Sequence, residues 1–139
     1  MNPAVVLILD SNKADLLLAK RVLAKEKVFN TVCCFSDPEK AMDFLRIHRV
    51  DVVITEANLG DQRGLDFLAE AKTSGLLADK ILIVISSSKT PDIVAQADLL
   101  GVSVWIDKPL NLQKLHYVVM HVPELFVGIL RHSLNSSTR

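Results

Sequence analysis

Five short aliphatic runs recur along this chain of 139 residues, at positions 5–9, 31–35, 52–55, 81–85 and 102–106. They constrain the fold more than any other feature. Four are near-continuous stretches of Val, Ile and Leu; the run at 31–35, which contains Cys33 and Cys34, is weaker. A continuous apolar run marks a strand buried on both faces, as in a parallel sheet covered by helices. Half of the residues are hydrophobic but only 5% are aromatic, so the core must come from Leu, Val, Ile and Ala.

The intervening stretches carry helix signals. Ser11-Asn12 can start a first helix, with Ala14, Leu17, Leu18 and Val22 on one face. Ser36-Asp37-Pro38-Glu39 reads as a capping box with proline in the first turn, followed by Ala41, Phe44 and Leu45. Leu65, Leu68 and Ala69 mark a third helix. Thr90-Pro91 opens a fourth and Gly101 closes it. Asn111 caps a fifth, with Leu112, Leu115 and Val119 inward. Strands alternating with helices, joined by right-handed crossovers, give a parallel sheet with helices on both sides.

Several function classes are excluded or disfavoured. Lys plus Arg and Asp plus Glu both number 16, so the chain lacks the basic excess of a nucleic-acid binder. Residues 4–9 are too few for a signal peptide or a membrane span, so a cytoplasmic, membrane-free protein is expected. Adjacent cysteines bond each other only with strain, so Cys33 and Cys34 read as strand residues. His48, His116, His121 and His132 show no metal-ligand spacing.

In an open parallel sheet a site forms beyond the carboxyl ends of the strands. Those ends here read Asp10-Ser11, Phe35-Ser36, Glu56-Ala57-Asn58, Ser86-Ser87-Ser88 and Asp107-Lys108-Pro109. Bland roles compete at each: Asp10 as a helix cap, Ser86 in a polar loop, Lys108 at the surface, Trp105 as core filling.

The order and spacing of these segments resemble the response-regulator receiver domains of two-component signalling, over about residues 4–122. The resemblance rests on the first strand through Asp10, on 51–56 with Asn58-Leu59 and Gly64-Leu65, on 83–86, and on 101–109. It implies a doubly wound (βα)5 flavodoxin-like fold, a three-layer sandwich with sheet order 2-1-3-4-5. It implies roles as well. Acids after the first strand and an acceptor after the third hold Mg²⁺, a hard ion that prefers oxygen ligands. The acceptor takes a phosphoryl group, whose transfer depends on positioning and charge neutralisation. Glu56 matches the acceptor, and Asp10 and Ser11 match the acidic pocket. Ser86, Trp105, Lys108 and Pro109 match the switch and phosphate-binding positions, and the Asn58 backbone carbonyl matches a metal ligand.

Two positions depart from that pattern. Ser11 stands where the family has a second acid, and Glu56 stands where it has Asp. The longer side chain carries its carboxylate about 1.3 Å further out, and a misplacement of about 1 Å costs on the order of 10²-fold in rate. The expectation is a pseudo-receiver, not an enzyme, that works by protein–protein contact without the usual phosphorylation. No cofactor is expected; the alternative is a phosphorelay acceptor with Mg²⁺ on Asp10, Glu56 and the Asn58 carbonyl. Glu56 is expected to reach Lys108 and Ser86. The expected partner is a sensor kinase, an output domain or a regulator.

Residues 1–122 form the expected domain, with 123–139 an apolar extension and polar tail. Residues 117–130 are apolar nearly all round, interrupted by Pro123 and Gly128. Such a surface points to a homodimer through the last helix and extension. The alternative is a segment folded back on its own domain.

Overall fold

The computed structural model describes residues 4–25, 31–59 and 63–121, with side chains to Val118. Five strands, β1 (Val5–Leu9), β2 (Thr31–Phe35), β3 (Val52–Glu56), β4 (Ile81–Ser86) and β5 (Val102–Asp107), form one parallel sheet in the order 2-1-3-4-5. The helices are α1 (Lys13–Ala24), α2 (Pro38–Ile47), α3 (Gly64–Thr73), α4 (Pro91–Leu99) and α5 (Leu112–His121). Each strand lies within one residue of its aliphatic run.

Strand alternation divides the core into two layers. Val6, Ile8, Val52, Ile54, Ile83, Ile85 and Ile106 face one side, where Leu16, Ala19 and Leu23 of α1 and Leu115 and Val118 of α5 cover them. Leu7, Leu9, Val53, Leu82 and Val84 face the other, under α2, α3 and Ala97 of α4. Both layers are largely aliphatic, as the composition requires.

Three helix details differ from expectation. The buried face of α1 is Leu16, Ala19, Val22 and Leu23, while Leu17 and Leu18 are exposed. The α2 cap is Asp37, one residue later than Ser36: Asp37 Oδ1 accepts the Glu39 N–H at 2.9 Å, leaving Pro38 at the first helical position. In α3 the buried set is Leu65, Phe67, Leu68 and Ala71; Ala69 faces outward. The caps at Thr90 and Asn111 are as expected, and Gly101 closes α4 with φ +86°. The Val119 side chain and residues 122–139 lie outside the described residues.

Candidate functional site

Alternation carries past the strand ends and sorts the polar residues. Asp10 continues the parity of Val6 and Ile8, Glu56 that of Val52 and Ile54, and Lys108 that of Val104 and Ile106. All three therefore belong to the α1/α5 face. Ser86 and Trp105 have the opposite parity, and Trp105 packs against the core layer under α2, α3 and α4.

Lys108 is the centre of the charged group. Its Nζ lies 2.8 Å from Asp10 Oδ2, 2.7 Å from Asp15 Oδ2 and 3.1 Å from Glu56 Oε2. The Lys108 N–H donates to Ser86 O at 2.9 Å, so the loop after β5 stays registered on β4. The Lys108–Pro109 peptide is cis. Lys114 Nζ bonds the carbonyls of Asp107 and Pro109, at 2.7 and 3.0 Å, and ties this loop to α5.

Asp10 serves two purposes. Its Oδ1 accepts the Asn12 N–H at 2.9 Å while Oδ2 pairs with Lys108. Ser11 is exposed. Glu56 is 5% exposed, and the Asn58 N–H donates to its Oε1 at 3.4 Å. Its Oε2 is within ion-pair distance of Lys108 but without hydrogen-bond alignment. Burial pushes the Glu56 carboxyl above the ordinary glutamate range, and Asp10 adds to that, while Lys108 and the Asn58 N–H oppose it. Lys108 is shifted upward as well: burial would lower it, but Asp10, Asp15 and Glu56 outweigh burial.

Glu56 thus meets Lys108 but not Ser86. Ser86 Oγ donates to Ser88 O at 2.7 Å and accepts the Ser88 N–H at 3.1 Å, closing its own turn. Trp105 is partly buried, and its Nε1 is buried without a hydrogen-bond partner. An open cleft of about 530 Å³ lies over the group, lined in part by Asp10, Asp15, Glu56, Asn58, Ser88 and Lys108. Among the described residues, no set of three or more His, Cys, Asp or Glu is arranged to hold a metal ion.

Gly64 brings α3 onto the end of β3. A Cβ there would lie 1.9 Å from Glu56 O and 2.9 Å from Thr55 Oγ1, so only glycine allows the approach. The helix start is fixed by the backbone instead of a capping side chain: Gly64 N–H donates to Ala57 O at 2.8 Å.

Asp15 is the site residue that sequence reading missed. It is the third residue of α1, its N–H capped by Asn12 Oδ1 at 3.0 Å, so it reads as part of a helix start. A signal was present: an acid one helical turn after the β1 terminus, on a helix that covers the face of Asp10 and Glu56.

A model of the response regulator receiver domain family matches residues 6–120. Response regulator Rcp1 of Synechocystis sp. is 26% identical over 132 residues, covering 90% of each chain. A CheY-like response regulator receiver domain protein of Methanospirillum hungatei has the same fold, with TM-score 0.79 at 18% identity, covering 94% of this chain and 99% of that one. The phosphorylated cyanobacterial phytochrome response regulator RcpA gives TM-score 0.73 at 28% identity, over 91% of this chain and 95% of its own.

Proposed function

The chain belongs to the response regulator receiver domains, and on that premise we propose that it is a pseudo-receiver, a signalling module that acts by protein contact without the usual phosphorylation cycle. The observation that carries this reading is the state of Glu56. Its carboxylate is buried at the end of β3, with Lys108 Nζ 3.1 Å from Oε2. An acceptor must reach a donor's phosphorus; this one is one methylene longer than Asp and already engaged with the cation that would otherwise stabilise transferred charge.

The donor set supports a metal-free state. A divalent ion would draw on Asp10, Glu56 and the Asn58 carbonyl, but the two carboxylates already pair with one ammonium, and Ser11 offers only a neutral hydroxyl. We therefore assign no cofactor and no enzymatic activity. The contact surface is the face of α4, β5 and α5, where Leu99 is 80% and Tyr117 60% exposed. It is the surface for a sensor kinase, an output domain or a regulator. No described helix is long and apolar enough to cross a membrane, and the proposed location is the cytoplasm.

A working acceptor is the competing reading, favoured by the open cleft over Glu56 and Lys108. Trp105, the single tryptophan, separates the two by its fluorescence. Titration with Mg²⁺ and beryllofluoride, or with a small phosphodonor, is expected to leave the emission unchanged. A saturable, Mg²⁺-dependent change overturns the proposal.

A further inference from the structure

We propose that Asp15 is a positioning residue that completes a three-carboxylate cage around the Lys108 ammonium, so that the site carries a built-in cation in place of an external divalent ion. An ammonium has three N–H donors and no acceptor. Three carboxylates surround this one, from β3, from the residue after β1 and from α1. Asp15 makes the shortest of the three contacts, an aligned hydrogen bond at 2.7 Å across 93 residues of sequence.

The local hydrogen bonds explain why Asp15 is available. An acid at the third position of a helix commonly reaches back to the cap residue's N–H. Here the Asn12 N–H is taken by Asp10 Oδ1, so the Asp15 carboxylate is free to turn toward Lys108. Asn12 Oδ1 holds the Asp15 N–H in return, which fixes the start of α1 under the cluster. The Lys108 side chain is left only 14% exposed. Removing a lysine from water is costly unless its charge is paired and its N–H donors are bonded, and Asp15 supplies the aligned acceptor that Glu56 does not. Glu56 in particular contributes distance without alignment.

This inference rests on the reading above only in taking the cluster as free of metal and phosphoryl groups. Its test uses the full chain and no phosphodonor, so the two can fail separately. Lysine reactivity is measured by limiting acetic anhydride and mass spectrometry, with Lys80 as the internal standard, because its Nζ bonds Val50 O at the far end of the sheet. Lys108 should label more slowly than Lys80 in the unaltered protein. Asp15→Asn should raise Lys108 labelling about threefold or more without changing Lys80, and Asp15→Glu should restore part of the protection. Global loosening would raise both lysines together and counts against the proposal, as does unchanged Lys108 labelling in Asp15→Asn. Millimolar Mg²⁺ should leave Lys108 labelling in the unaltered protein where it was; an increase would mean that the metal displaces the ammonium and would overturn the built-in cation.

Discussion

At the scale of single residues, Glu56 is the position where the charges are least balanced. Burial holds its carboxyl above the ordinary value of 4.5, more strongly than Lys108 draws it down. The folded state therefore binds this proton more tightly than the unfolded chain. Stability from the group is complete below pH 4.5 and is lost as pH rises through the raised folded value. Glu56→Gln removes that dependence. The melting temperature of the variant relative to the parent should rise from pH 4.5 toward neutrality and then level off; a difference that falls over this range contradicts the assignment. Asp10, Glu56 and Lys108 could be read in advance because each ends or closely follows an aliphatic run, where a parallel sheet forms its site. Asp15 could not, because a helix-start acid has an ordinary explanation that spacing alone does not exclude. Ser86 looked like a neighbour of Glu56 because the two end adjacent strands, but its side chain belongs to the opposite face and closes on Ser88.

At the scale of elements, the contact between β3 and α3 depends on an absent side chain. Gly64→Ala would place a methyl carbon against the Glu56 carbonyl, so strand and helix must separate. The expected cost is about 1–3 kcal/mol, seen as a melting temperature lower by several degrees. The Lys108 labelling ratio should change with it, since the Glu56 backbone moves. An alanine variant as stable as the parent would show that the contact is looser than described. The strands were legible to within a residue because a buried strand is a contiguous apolar run. The face of α1 was not, because Leu16, Leu17 and Leu18 span about 200° of helix and fit either phase. Only packing against β1 and α5 chooses Leu16 and Leu23 over Leu17 and Leu18.

At the scale of the whole molecule, the architecture places the charged cluster on the α1/α5 side and Trp105 on the other, with the sheet between them. Residues 117–130 are apolar nearly all round, and they motivate the proposed self-association. Light scattering should give a dimer for the full chain and a monomer for a chain ending at residue 122; monomers in both cases remove the dimer. The three carboxylates around Lys108 also have a consequence for the order of synthesis. Asp10, Asp15 and Glu56 all leave the ribosome before their shared counter-ion is made, with Lys108 trailing Asp15 by 93 residues. A nascent chain cannot neutralise them among themselves. The pocket is therefore completed only when the last strand and its loop bring Lys108 to the three carboxylates.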